Sequence, residues 1–385
     1  MQQTPLAALA GYRNGFAFKP DDRGVEGLPI VRIEQLLNPS VEPDLFAGEV
    51  PAANRIADGD LVFSWSGTLA VRLWSRGPAY LNQHLFRVDP RPGVNKQWLR
   101  WALEEAIGRM KPLMHGTAMT HITRRVLEET RVPLPPVEQQ RRIADYLDTE
   151  TARIYGLLAV NRRRRSLIQE RLWAQLERLI EGVPTPVGYL VRRIEQGTSP
   201  VADDRAASSG EVGVLKLSAI SRGRYLPQHH KALPADTSEG LPRVRPGSIL
   251  LSRANTPDRV GDVAYVDHDA GDLTFPDLMF QLLIDQRVAE PRYLAMALRS
   301  RGARAQIEAV ARGSSQSMVK LRQGDVRELR LPVPDYRRQV AAAEAFERAA
   351  EHARSVDDAL ERVSALLAER REALITAAVT GEVGV

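Results

Sequence analysis

The 385-residue chain contains no cysteine. That excludes disulfides, cysteine zinc sites, iron–sulfur clusters and thiol nucleophiles together. No run of 18 apolar residues occurs, so a membrane-spanning helix is excluded as well. The opening Met1-Gln2-Gln3-Thr4-Pro5 lacks a basic segment leading into an apolar core. A secretory signal is therefore not expected, and a cytoplasmic location fits. The 7 histidines show no ligand spacing, and the adjacent pair His229-His230 falls in a polar loop. Catalytic signatures are also missing. There is no Gly-x-x-x-x-Gly-Lys-Ser/Thr phosphate loop, no His-Glu-x-x-His pair and no Gly-x-Ser-x-Gly elbow. The Asn/Asp-Pro-Pro-aromatic tetrapeptide of amino-methyltransferases is absent too. No catalytic residue, cofactor or metal is expected on this chain.

Neither sign of charge dominates: 53 basic residues face 48 acidic ones, a net of +5. The excess is uneven. Residues 182–334 hold 21 basic against 17 acidic residues, whereas 335–385 hold 7 against 10. Such a balance is a weak pointer to a polyanion, and the local pattern matters more than the sum.

What the sequence does contain is a long internal repeat. Pro5 to Leu9 followed by Asn14-Gly15 is answered by Pro186 to Leu190 followed by Gln196-Gly197. Gly27 to Ile33 resembles Gly210 to Leu217, with Arg32 answered by Lys216. Gly59 to Ser64 matches Gly247 to Ser252, and Trp98-Leu99 matches Tyr293-Leu294. Gly116 to Ile122 is set against Gly313 to Val319, and Val132 to Pro135 against Leu331 to Pro334, with Gln140 facing Gln339. Matches in one unbroken order indicate tandem duplication, with a period far too long for a solenoid.

Each copy opens with short strand-like runs, of which Leu61-Val62-Phe63 and Ile249-Leu250-Leu251 read as buried strands. Helices are expected over Asn95–Arg109 and Pro291–Val310, and prolines then close the globular part. Beyond them the texture changes. Leu147, Ile154, Asn161, Ile168 and Gln175 recur every seven residues, interleaved with Thr151, Leu158, Arg165, Leu172 and Leu179. The 4/3 spacing marks a coiled-coil seam. A second seam is expected along Phe346, Ala349, Ala353, Val356, Leu360, Val363, Leu367, Arg370, Leu374 and Ala377. Two such stripes in head-to-tail copies predict an antiparallel helix pair, with flanks that leave room for another protein.

The loops collect basic, hydroxyl and aromatic groups. The first copy offers Arg13, Asn14 and Lys19, then Ser64, Trp65, Ser66 and Arg72. The second offers Arg192, Arg193, Thr198 and Ser199, then Arg253, Asn255, Thr256 and Arg259, with Lys216, Arg222 and Arg224 between. Arg, Asn and Ser/Thr read base edges, and Lys/Arg neutralise phosphates. Any one of these residues suits an ordinary surface loop equally well; matching loops in both copies favour the set as DNA-binding. Arg162 to Arg165 form the densest basic run, but on a helix they point all round the axis.

Several segments resemble one family, the specificity subunits of Type I restriction-modification systems. They include Arg13 to Lys19 with Gly27 to Arg32, Leu81-Asn82-Gln83-His84, Pro133 to Leu147, Gln196 to Pro200 with Gly213 to Lys216, and Glu372 to Gly381. Gln139 departs from the family's usual Glu, and the first junction lacks the Gln that Gln316 supplies in the second copy. The resemblance implies an α+β chain with two globular α/β target-recognition domains. Two long α-helices would join them as an antiparallel coiled coil, a pseudo-two-fold tandem repeat. The expected boundaries are 1–135 and 183–334 for the recognition domains, and 136–182 and 335–385 for the helices. The resemblance implies a non-catalytic subunit that reads a bipartite target in double-stranded DNA. It would dock two modification (methyltransferase) subunits, which use S-adenosylmethionine, and restriction subunits, which use ATP and Mg2+. Two alternatives stay open: a module serving a methyltransferase only, and a coiled-coil scaffold that binds protein rather than DNA.

Overall fold

A computed structural model describes residues 3–114, 120–221, 223–234, 237, 239–269, 271–315 and 318–384. The chain is α+β, two mixed units joined by two long helices. The first unit takes in Met1–Arg163 and Leu360–Val385, the second Arg164–Ala359. Both long helices, Val137–Leu179 and Tyr336–Thr380, therefore contribute to both units.

In the first unit an antiparallel sheet runs in the order Ala10–Asn14, Leu85–Pro90, Leu61–Ser64, Ala70–Leu73. Its central strand Leu61–Ser64 is buried throughout. Strand side chains alternate between faces, so the strand feeds two cores. Leu61 and Phe63 pack with Trp98, Trp101 and Leu103 of the helix Lys96–Met110. Val62 packs with Val31, Ile56, Trp74 and Leu81. Asn95 begins that helix as its N-cap: its side chain accepts from the Trp98 amide at 2.9 Å. A second sheet pairs Leu28–Val31 in parallel with Ala79–Leu81.

The second unit repeats this topology. Its sheet runs Val191–Gln196, Met279–Ile284, Ile249–Ser252, Val263–Tyr265, all antiparallel. Gly213–Leu215 pairs in parallel with Leu273–Thr274, as Leu28–Val31 does with its partner. Short strands also tie each unit's start to its end: Gln3–Pro5 with Arg131–Pro133, and Val183–Pro186 with Arg330–Val333.

A buried glutamine holds each long helix to its unit in the same way. Gln140 Oε1 accepts from the Asn95 amide at 2.7 Å, and its Nε2 donates to the carbonyls of Pro135 (2.8 Å) and Gly93 (3.2 Å). Gln339 Oε1 accepts from the Glu290 amide at 2.8 Å, and its Nε2 donates to Pro334 (2.9 Å) and Val288 (3.4 Å).

The first expected seam is observed as far as Leu172. Leu147, Thr151, Ile154 and Asn161 are buried, and Leu158, Arg165, Ile168 and Leu172 are half-buried between exposed neighbours; beyond Leu172 it is Leu176, next to the expected Gln175, that is buried. Within the first unit the helices are antiparallel, with Glu150 beside Arg370 and Asn161 Nδ2 donating to Ser364 Oγ at 3.4 Å. Within the second, Arg165 forks onto Asp357 at 2.7 and 2.9 Å.

Three expectations are corrected. The second seam slips by one after Leu360: Ser364 and Arg371 turn inward, while Val363 and Arg370 are exposed. Two successive four-residue steps, 356 to 360 to 364, carry Ser364 under Asn161. The expected helix Pro291–Val310 is two helices, Pro291–Ala297 and Arg301–Val310. Ser300 breaks it by capping the second piece, accepting from the Ala303 amide at 3.2 Å. The match of Gly116–Ile122 to Gly313–Val319 shifts by two. The Ile122 amide donates to the Trp65 carbonyl, and the Leu321 amide to that of Arg253, both at 2.9 Å. Residues 115–119, 316 and 317 of that match lie outside the described residues.

Candidate nucleic-acid interface

The loops at the ends of the central strands share one scaffold. The Gly15 amide donates to the Leu85 carbonyl at 3.0 Å, and the Gly197 amide to that of Met279 at 3.3 Å. The Phe16 amide donates to Leu81 and the Thr198 amide to Phe275, at 2.7 and 3.1 Å. Both glycines are required by close backbone approach. A Cβ at Gly15 would lie 2.2 Å from the carbonyl oxygens of Leu81 and Asn82, and one at Gly197 would lie 2.1 Å from that of Phe275. This is the physical basis of the Asn14-Gly15 and Gln196-Gly197 match.

In the first unit Arg13 is exposed and paired with Asp89 at 3.0 Å. Asn14 and Lys19 are exposed; the Asn14 carbonyl accepts from Asn54 Nδ2 at 2.8 Å. Ser64 and Ser66 are 0% and 1% exposed. Ser64 Oγ donates to the Ser66 carbonyl at 3.0 Å, and Ser66 Oγ is 3.1 Å from His84 Nδ1. These two serines brace the loop from inside. Trp65, half-buried, stacks on Phe86 with His84 and His121 beside it. Arg72 turns toward the helix, donating to the Val71 carbonyl at 2.7 Å and meeting Glu104 at 3.4 Å.

In the second unit Arg192 is exposed and meets Asp285 at 3.3 Å. The Asp285 carboxyl, bound chiefly by the Arg287 side chain, is held far below the usual range. Arg193 lies 3.4 Å from the buried Glu195. Thr198 and Ser199 are exposed, and Ser199 Oγ donates to Asp277 Oδ1. Arg253 Nη1 donates to the Asp277 carbonyl at 3.2 Å. Asn255 Nδ2 donates to Ser252 Oγ at 3.3 Å. Thr256 and Arg259 are exposed at the following turn. Lys216 is exposed near Asp204, whose carboxyl Lys231 and then Lys216 hold below its usual range. Arg224 is exposed on a short hairpin strand paired with Ser221, and Arg222 lies outside the described residues. The structure thus gathers Ser199 and Arg253 around Asp277, with Thr198 held to Phe275, and sets Lys216 and Arg224 on other elements.

Sequence reasoning did not nominate Gln83 or Asp277, which follow the strands that pair in parallel with Leu28–Val31 and Gly213–Leu215.

The helix pair has an apolar flank in the first unit. Leu157 and Val160 on one helix, and Val363 and Leu366 on the other, are 45–62% exposed. Each immediately precedes a seam residue, as do Glu150 and Arg370, whose 3.9 Å pairing puts these flanks on one side. Among the described residues, no group of three His, Cys, Asp or Glu is positioned to hold a metal ion. No described helix is long and apolar enough to cross a membrane.

The two units thus carry one loop scaffold, each on a pair of long helices. Residues 7–157 match the family described as Type I restriction modification DNA specificity domain. The Type I restriction enzyme EcoBI specificity subunit of Escherichia coli is 28% identical over 152 residues, 39% of this chain and 32% of that protein. The EcoEI specificity subunit of Escherichia coli is 29% identical over 156 residues, 38% of this chain and 25% of that one. The matched stretches thus span about a third or less of these relatives. A chain from a structure concerned with complex assembly and conformational transition of the type I R-M system has the same fold. Its TM-score is 0.72 at 14% identity, covering 99% of this chain and 98% of that one. The chain thus resembles Type I restriction-modification DNA specificity domains in sequence over residues 7–157, and a chain of a type I R-M structure in fold over its length.

Proposed function

We propose that this chain is the DNA-reading subunit of a Type I restriction-modification complex, with each unit reading one half of a two-part target. The observation that carries this reading is the duplication itself. Two units share a backbone scaffold yet present different exposed polar side chains at equivalent loops, which suits two half-sites of different sequence. The exposed residues Arg13, Asn14, Lys19, Arg192, Arg193, Thr198, Ser199, Lys216, Arg224, Thr256 and Arg259 are the candidate contacts to phosphates and base edges. The loop positions of Trp65, Arg253 and Asn255 support base contacts, Ser64 and Ser66 support the loops, and Arg72 turns to the helix. The apolar flank formed by Leu157, Val160, Val363 and Leu366 suits docking of modification subunits through helices of their own. In this reading the chain is not an enzyme and binds no cofactor. The modification subunits would bring S-adenosylmethionine, and restriction subunits ATP and Mg2+.

The test is DNA binding by the chain with its modification subunit across a salt series. The log of affinity should fall linearly with the log of salt concentration, as phosphate contacts require. A specific site should outcompete random duplex by at least about 1,000-fold. Salt-independent binding, or equal affinity for every duplex, would defeat the reading and favour a protein-binding scaffold.

A further inference from the structure

We infer that one pair of loop positions sets base identity in each half-site: Trp65 and Gln83 in the first unit, Arg253 and Asp277 in the second. The inference rests on the proposed DNA reading and assigns the bases it reads to particular side chains.

The equivalence of the pairs follows from register. Ile30 pairs with Tyr80 and Val31 with Leu81, while Val214 pairs with Thr274. Two residues past Leu81 stands Gln83; two past Phe275, the residue after Thr274, stands Asp277. The antiparallel sheets agree, because Ser64 faces Leu85 and Ser252 faces Met279. Trp65 follows Ser64 as Arg253 follows Ser252. One bond then spans both loops in the same way. Trp65 Nε1 donates to the Gln83 carbonyl at 3.2 Å, and Arg253 Nη1 donates to the Asp277 carbonyl at 3.2 Å. An indole and a guanidinium have replaced each other while the cross-loop bond is kept.

Residues that build the scaffold are the same in both copies: Gly15 and Gly197, Ser64 and Ser252, Gln140 and Gln339. At the loop pair the chemistry differs. Gln83 is exposed, and its amide makes one long contact, to His84 Nε2 at 3.5 Å. It keeps a donor and an acceptor on one planar group, the pattern that matches the major-groove edge of adenine. The Trp65 indole beside it, stacked on Phe86 at 5.7 Å, offers a flat apolar wall. Arg253 is fixed by one nitrogen to the Asp277 carbonyl, and its guanidinium sits over Phe280 at 5.8 Å. The fork so held suits O6 and N7 of guanine. Ser199 Oγ holds one oxygen of the Asp277 carboxylate, and the group can accept from the N4 amine of a neighbouring cytosine. The first half-site therefore contains an A·T pair read by Gln83, and the second a G·C pair read by Arg253.

The test expresses the full chain with its modification subunit in a host that lacks adenine methylation, then maps every methylated site. Wild type, Gln83→Ala, Gln83→Met, Arg253→Ala and Arg253→Lys are compared. Each Gln83 variant should relax one A·T position of one half-site, with discrimination there falling roughly 5- to 150-fold. The other half-site and the gap should be unchanged. Each Arg253 variant should relax one G·C position in the opposite half only. The inference is overturned if Gln83 variants keep the wild-type target, relax both halves together, or relax a G·C pair. It is equally overturned if both Arg253 variants keep the wild-type target. If wild type itself produces no two-part methylated target, the proposed DNA reading fails rather than this assignment of positions.

Discussion

Replacing Gln339 by alanine should loosen the second unit by an amount that the structure allows to be worked out. The side chain is 1% exposed and makes three hydrogen bonds. Alanine strands the Glu290 amide, which precedes the helix starting at Pro291. A buried donor left unpaired costs about 1–3 kcal/mol. The two carbonyls that lose the Nε2 bonds, one of them only 3.4 Å away, add less, as does the small cavity. A total of about 3 kcal/mol is expected, which lowers the midpoint of a unit this size by roughly 6–12 °C. Thermal unfolding of the full chain, with hydrogen exchange to separate the units, measures it. Amides of the second unit should lose protection, and those of the sheet around Leu61–Ser64 should not. Gln140→Ala should give the mirror result, because its three bonds are the same in kind. A loss below about 0.5 kcal/mol in both variants, the range of an ordinary surface change, would refute the reasoning.

Other outcomes follow from the same geometry. Asp357→Ala leaves the Arg165 guanidinium half-buried and should cost about 1–2 kcal/mol in urea unfolding, discounted for the partial exposure of both groups. Arg165→Met with Asp357→Leu should recover most of it, and a double variant as weak as the single would count against a paired seam. Gly197→Ala drives a Cβ into the Phe275 carbonyl, so it should destabilise the second unit by about 2 kcal/mol or more in the same assay. Arg205 forks onto Glu211 at 2.6 and 2.8 Å and, with the Ser208 amide, lowers that carboxyl from 4.5 to about 2. A depressed acid stabilises above its ordinary pKa, and the effect fades as pH falls through the folded value. Glu211→Gln should therefore be less stable than wild type at pH 6 and equal to it below about pH 2; a difference that persists in acid would contradict the pairing.

Much of the fold was legible because duplication presents every signal twice. Leu61–Val62–Phe63 alone could be a strand or a piece of buried helix, but Ile249–Leu250–Leu251 in the same setting settles the ambiguity. The first seam was readable as far as Leu172, since Asn161 and Arg165 keep the spacing even though they break the apolar pattern. The second was not, because Val363 is more apolar than Ser364 and only the partner Asn161 makes Ser364 the inward residue. Pattern cannot weigh a hydrogen bond from another helix. The break at Ser300 was missed for a related reason, as capping is a matter of backbone angle. At the candidate interface, residue type alone nominated Ser64, Ser66 and Arg72, which fold inward onto His84, the loop backbone and Glu104. It passed over Gln83, whose exposure depends on strand register.

We propose that each unit reads its own half of one DNA target. The measurement that meets it most directly is a map of adenine methylation, by single-molecule sequencing, with and without this gene beside its modification subunit. Methylation is expected at a two-part motif with a fixed gap, present only with the gene. Exchange of the second unit's loops for those of another such chain should alter one half of the motif alone. Methylation unchanged by removal of the gene, or a single uninterrupted motif, would contradict it.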